Sequence, residues 1–341
     1  MTPERILITG GCGFLGQYLT SDLLKARPGA KIKILDLKHN PNSLFDFSVN
    51  PNIRIVCGKD IRSFDEIVND FRDIDLVIHL AGLVSFSIKD RKLLNDINVL
   101  GTQNVLMAAV ENKVRNFIHI SSVAALGYND DPNEPVNEDF RFDFSIAEKR
   151  KKFYMLSKHQ ADIEVKKQTT RGLNAIIFYP GLMLGPGDTI NSVKLVNAIN
   201  SRKIPFNMPG GTNVIDVRDV SSGIVAALRK DICKGDFLLS GWNLTFTQIN
   251  KTIAQTLAVP APRKTLSGFL NPVLFKLLLL VESLSKNKLE LTADNLDSAF
   301  KFRYFDNTRA KNTLDWMPQI SFDRTVNDII EWMKKNGLFK G

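Results

Sequence analysis

Cysteine is scarce in this chain of 341 residues: Cys12, Cys57 and Cys233 are odd in number, widely spaced and without a C-x-x-C pair. They give no support to a disulfide framework or a cysteine zinc site, and a reducing, cytosolic setting is the default expectation. The four histidines show no metal-ligand spacing. There is no internal repeat and no low-complexity stretch. Met1-Thr2-Pro3-Glu4-Arg5 leads straight into a strand-like segment, with no basic n-region and long apolar run, so no secretory signal is expected. The richest apolar stretch, 266–284, is interrupted by Pro272, Lys276 and Glu282. It falls short of the ~20 clean residues that a membrane span needs.

The charge is unbalanced instead. Forty-five Lys and Arg against thirty-six Asp and Glu leave +9. That surplus suits an anionic membrane or a nucleic acid, yet it is common in ordinary enzymes, and nucleic acid is not expected as a partner. Hydrophobic residues make up 44% and charged residues 24%, proportions that exclude a disordered tail or a collagen-like fibre. The length fits two domains of roughly 150 residues, or one α/β unit with a cap.

Segments 4–9, 31–36, 53–57, 75–80, 115–120 and 173–179 are short, continuous apolar runs, as expected of strands buried on both faces. Helical patterns alternate with them at 14–26, 62–70, 91–111 and 147–169, which predicts a parallel sheet with helices on both sides. After about residue 185 the alternation weakens, and further helices are expected at 217–229, 246–258 and 321–336.

The first strand runs into Thr9-Gly10-Gly11-Cys12-Gly13-Phe14-Leu15-Gly16. Gly10 or Gly11, with Gly13 and Gly16, permits a tight strand-to-helix turn and a close approach of backbone N–H groups to a pyrophosphate. The helix N-terminus adds its positive dipole end. Asp36 ends the second strand twenty residues past Gly16. A carboxylate there binds a ribose 2′-hydroxyl and repels a 2′-phosphate, favouring NAD over NADP; Lys38 softens that preference. Residues 1–185 are therefore expected to form a doubly wound, dinucleotide-binding α/β domain, with segments near 212–230 returning to it. Residues 186–341 are expected to form a smaller, mainly helical substrate-binding domain.

Tyr154 and Lys158 lie four apart in a helical pattern and share a face. A tyrosine with the usual pKa of ~10 is a poor base, and a neighbouring ammonium stabilises its phenolate. Ser121 and Ser122 follow the apolar run 117–120, at the carboxyl end of a parallel strand beside the ligand crevice. Either hydroxyl could hold a substrate oxygen, or could simply serve a turn.

Taken together, the glycine loop, the acidic strand end, the serine pair and Tyr-x-x-x-Lys resemble the extended short-chain dehydrogenase/reductase superfamily, with its Rossmann-type sheet. Leu80-Ala81-Gly82, after Val77-Ile78-His79, resembles the family's strand end beside the adenosine and ribose. Asn98 lies in an Asn-Val-x-Gly-Thr-like helix, and Asp60-Ile61 resembles the adenine-flanking pair. Tyr179-Pro180 stands where an Arg-Pro segment borders nicotinamide, and Tyr in place of Arg removes that arginine's role. By this resemblance Tyr154 is the acid/base. Lys158 lowers its pKa and holds ribose hydroxyls, Ser122 is the catalytic serine with Ser121 as fallback, and the enzyme is a homodimer. The cofactor contacts would be Gly10, Gly13, Phe14, Leu15, Gly16, Asp36, Asp60, Ile61, Leu80, Ala81, Gly82, Asn98, Tyr154, Lys158 and Pro180.

Residues 291–318 are similar to the C-terminal part of 3β-hydroxysteroid and sterol-decarboxylating dehydrogenases. The resemblance thus implies an NAD-dependent oxidoreductase acting on an apolar, steroid- or lipid-like secondary alcohol or ketone. A sugar-nucleotide epimerase or dehydratase is the enzyme alternative, and a non-catalytic NAD-binding sensor or scaffold is the alternative of another class. Residues 266–284 read as a buried core helix, a lid for an apolar substrate, or an interfacial helix giving a cytoplasmic protein peripheral membrane contact. The basic run Lys149-Arg150-Lys151-Lys152 reads as a solvated helix start or as an attraction for an anionic membrane or coenzyme A substrate. Glu138-Asp139 reads as a surface turn.

Overall fold

Six of the predicted apolar runs become the strands β1 (Arg5–Thr9), β2 (Lys31–Leu35), β3 (Ile53–Val56), β4 (Leu76–His79), β5 (Asn116–Ile120) and β6 (Asn174–Pro180). In this computed structural model, which describes residues 5–40 and 43–339, every pairing between them is parallel. A seventh strand, Gly235–Leu239, which the sequence pattern did not reveal, adds in parallel to β6. The order across the sheet is Gly235–Leu239, β6, β5, β4, β1, β2, β3. Chain order reverses between β1 and β4, the switch point beside which α/β sheets bind ligands. The segment 1–4, on which the absence of a secretory signal was read, lies outside the described residues.

Helices cover both faces, because strands that are apolar on both sides must be shielded twice. On one face, helix α1 (Phe14–Ala26) packs beside Val217–Arg229, sharing a core with Ile6, Ile8, Ile118 and Phe178. On the other, Leu7, Val77, Phe117 and Ile177 pack with Val105, Ala109 and Val165 of the helices Gly101–Glu111 and Phe153–Thr170. Thus the segment 217–239 returns to the large sheet after an excursion that begins past β6.

The predicted helix 91–111 is continuous, with a π-helical segment at Asn95–Leu100. The predicted helix 147–169 is instead two helices, Phe144–Lys149 and Phe153–Thr170. The break falls at Lys151, whose φ of 54° is left-handed, and it turns Lys152 inward. The C-terminal half also holds a four-stranded sheet of Leu182–Leu184, Gly211–Asp216, Trp242–Thr245 and Phe302–Arg303. A third core lies beside it, with Val196, Ile253, Ile329 and Ile330 from helices 191–200, 246–256 and 322–335.

Candidate active site

β1 ends in the glycine loop, and α1 begins at Phe14 with Gly13 as its N-cap. No side chain caps this helix and its first turn holds no acid, so its positive end is left to a ligand. Gly10 has a φ of 70°, and a Cβ there would come within 2.6 Å of the Ala81 nitrogen. The loop and the end of β4 therefore approach more closely than any side chain at position 10 would allow. Asp36 ties the next wall to the loop: one carboxylate oxygen accepts the Cys12 N–H at 3.0 Å, the other the Lys38 N–H at 3.3 Å.

Above the switch point these walls enclose a cavity of about 440 Å³, within the range of small-molecule sites. Gly10, Gly13, Phe14, Leu15 and Gly16 line one part of it; Asp36, Asp60 and Ile61 line another. Leu80, Ala81, Gly82, Asn98, Ser121, Tyr154 and Lys158 close the remainder. Two expected residues, Ser122 and Pro180, do not line it. The chain around Pro180 turns its neighbour Tyr179 into the core beneath the sheet, 1% exposed. Ser122 stands just behind the wall, where its side chain accepts the Ala124 N–H at 3.2 Å and its hydroxyl favours the ionised form of Tyr154. Lys59, Arg62, Ile97 and Met183 also line the cavity; Ile97 and Met183 belong to the Asn98 and Pro180 segments, and Lys59 and Arg62 flank Asp60-Ile61.

Burial governs the titration of the pair. It pushes the Tyr154 phenol up to about 12, against the pull of the Ser122 hydroxyl. It brings the Lys158 ammonium down to about 8, with Asp162 opposing. Burial thus holds the phenol above the ordinary tyrosine value, with Ser122 pulling against it and Asp162 adding to it. Lys158 Nζ donates to the Ile120 carbonyl at 2.9 Å, which fixes its head at the end of β5.

Asn98 orients the site without a charge. Its amide oxygen accepts the Leu83 N–H at 2.7 Å, and its amide nitrogen donates to the Leu83 carbonyl and to Ser157 Oγ, both at 3.0 Å. Ser157 donates in turn to the Tyr154 carbonyl at 2.8 Å. The π-helical segment around Asn98 thereby joins the β4 end to the helix of Tyr154.

Two surface readings change. Lys152 of the basic run is 0% exposed and pairs with Asp294 and Asp297, each at 2.9 Å, while Arg150 pairs with Asp297 at 3.3 Å. Glu138 is buried, not on a turn surface, and accepts the Leu238 N–H at 2.7 Å. It meets the seventh strand, an element the sequence reading lacked.

Comparison with known proteins adds a family. A model described as the 3-beta hydroxysteroid dehydrogenase/isomerase family matches residues 7–232. A Synechocystis sp. protein provisionally named a dihydroflavonol 4-reductase is 26% identical, over 99% of this chain and 96% of its own. Sterol demethylase protein B of Methylococcus capsulatus is 28% identical, over 75% of this chain and 76% of its own. The fold is that of the extended short-chain dehydrogenase/reductases: dTDP-glucose 4,6-dehydratase from Streptomyces venezuelae superposes with a TM-score of 0.77 at 20% identity, covering 98% of this chain and 99% of that one.

Proposed function

Because this chain belongs to the 3-beta hydroxysteroid dehydrogenase/isomerase family, we propose that it is an NAD-dependent oxidoreductase interconverting a secondary alcohol and its ketone on an apolar, steroid- or lipid-like substrate. One observation carries the reading. An uncapped, glycine-opened helix N-terminus and the pair Tyr154 and Lys158 share one cavity.

The residues present fit a dinucleotide. The α1 N-terminus would hold the pyrophosphate, Asp36 and Lys158 ribose hydroxyls, and Asp60 and Ile61 the base. Of the cations on the wall, Arg62 is paired with Asp60, and Lys59 donates to the Glu66 carbonyl and pairs with Asp70. Asp36 then sets the preference, and a ribose hydroxyl suits it better than a phosphate. When bound, the nicotinamide supplies the hydride acceptor or donor. As the phenolate, Tyr154 takes the hydroxyl proton of the substrate at its Oη; as the phenol, it returns that proton in the reverse direction. Ser122, behind the wall, acts through Tyr154, whose ionised form it favours. Lys158, held by the Ile120 carbonyl, brings positive charge to the forming phenolate. The same reading assigns residues 1–185, with the returning segment 217–239, to the nucleotide, takes the remainder as the substrate part, and includes a homodimer.

The test is a panel of steroid, long-chain and sugar-nucleotide alcohols with NAD, read as NADH formed. Tyr154→Phe keeps the ring but should lower turnover by at least ~10²-fold, with NAD affinity nearly unchanged. Near wild-type turnover in this variant would overturn the mechanism. A reaction confined to sugar nucleotides would overturn the substrate class.

A further inference from the structure

The helix Asn271–Leu284 is built inside out. Its buried positions are Asn271, Phe275 and Glu282, of which Glu282 is 0% exposed. Its outward stripe is Val273, Leu277, Leu280 and Leu284, spaced four, three and four, with Leu284 76% exposed. Phe269, just before the helix, is 93% exposed. An aqueous surface does not sort residues this way. Contiguous exposed apolar side chains mark a surface that something apolar covers.

The inward polar side chains are held by named partners, which fixes the orientation. Glu282 accepts the Ile88 N–H at 2.9 Å and the Ala293 N–H at 3.1 Å. Asn271 donates to Asp297 at 3.2 Å, and the Phe275 ring lies under Arg150 at 5.0 Å. Rolling the helix to hide its leucines would strand a buried carboxylate's partners and break these bonds.

Charge identifies the cover. Between residues 263 and 291 the chain carries Arg263, Lys264, Lys276, Lys286 and Lys288 against Glu282 and Glu290. Glu282 is turned inside, and only Lys288 is drawn off, to Asp90 at 2.8 Å. The stretch that carries the leucine stripe is thus rich in exposed cations, with Glu290 as its sole exposed acid. Fourteen helical residues measure about 21 Å, too short for a hydrocarbon core of ~30 Å. Among the described residues no helix is long and apolar enough to cross a membrane. We infer that Asn271–Leu284 lies flat on an anionic lipid bilayer, with its leucine stripe among the acyl chains and its lysines at the headgroups.

This contact would bear on the site. The segment that Glu282 and Lys288 grip, Ile88–Asp90, follows Phe86, whose ring stands edge-on to Tyr154 at 5.6 Å. On the other flank, Arg150 and Lys152 precede Tyr154 and join the helix through Phe275 and Asp297. Both flanks of the tyrosine are therefore held against the lipid-facing helix. Delivery of substrate from the bilayer follows only if the substrate is apolar, so that step rests on the proposed function; the contact itself does not.

Flotation with vesicles separates the two. The wild-type protein should float with phosphatidylcholine vesicles containing phosphatidylserine, at least ~10-fold better than with phosphatidylcholine alone, and less so in high salt. Leu277→Gln with Leu280→Gln, both at exposed positions, should lose at least ~10-fold of that binding while keeping the thermal midpoint and NAD affinity. Absence of flotation with the anionic vesicles would overturn the inference, as would equal flotation of the double variant. A wild-type dimer that the double variant converts to a monomer would assign the face to self-association instead. Flotation without turnover of any apolar alcohol would leave the contact standing and defeat the substrate reading.

Discussion

At Tyr154 two local influences oppose each other. Burial holds the proton on, and the Ser122 hydroxyl eases it off. Alcohol oxidation needs the phenolate, so its rate should climb with pH across the neutral and mildly alkaline range. Ser122→Ala removes the influence that lowers the pKa, and should move that climb to higher pH. The measurement is kcat/KM against pH for both proteins; superimposable profiles would deny Ser122 this role. A second residue-scale feature lies behind the cavity. Thr102 Oγ1 donates its proton to the Asn98 carbonyl at 2.7 Å, so toward His79 Nε2, 3.0 Å away, it can only accept. His79 therefore carries its proton on Nε2 and accepts from Thr9 at Nδ1, 2.7 Å away. The imidazole is neutral, consistent with burial driving its pKa well below the ordinary value.

Among the elements, the break between Phe144–Lys149 and Phe153–Thr170 shows what a sequence can and cannot reveal. The six strands and the glycine loop were legible because each is written in consecutive residues: an apolar run, a turn, a helix start. Tyr154 and Lys158 were legible for the same reason. Lys152 was not, because four successive basic residues look solvated, and its partners Asp294 and Asp297 lie more than 140 residues away in sequence. Glu138, the seventh strand and the small sheet share that dependence on distant residues. Gly235-Asp236-Phe237-Leu238-Leu239 has only three apolar residues and gains its place by pairing with β6. Lys152→Ala should leave Asp294 and Asp297 buried without their ammonium and cost about 3–5 kcal/mol of stability. A denaturant midpoint shifted by much less would mean that Arg150 alone suffices as countercharge.

Across the whole molecule, buried titratable groups set the response to acid. His79 and His119 are neutral in the fold, their pKa values driven well below 6.5 by burial. Below about pH 6.5 the unfolded chain takes up protons that the folded one refuses, so stability falls as pH falls through that value. Asp162 works the other way: burial raises it to about 6, so between about pH 6 and 4 the folded state holds the extra proton. Burial also lowers His159 and raises Glu138 and Asp219. Histidines ordinarily titrate at ~6.5 and carboxyls at ~4, so the histidines lead at mildly acid pH and leave a net loss. The thermal midpoint should decline from pH 7 to pH 5, and a flat curve would contradict neutral histidines. The return of 217–239 to the first sheet has its own consequence for how the chain is made. A ribosome completes β6 at Pro180, but the strand that covers its free edge begins only at Gly235, fifty-five residues later. Val217–Arg229, which shelters α1, also emerges after β6. During translation every nucleotide-site motif is thus already outside the ribosome while the sheet beneath them still has a bare edge and a half-open face. A gene cut after residue 185 would encode the whole glycine loop and the Tyr154–Lys158 pair, yet yield a chain with an uncapped β6, prone to pair with its copies rather than stay in solution.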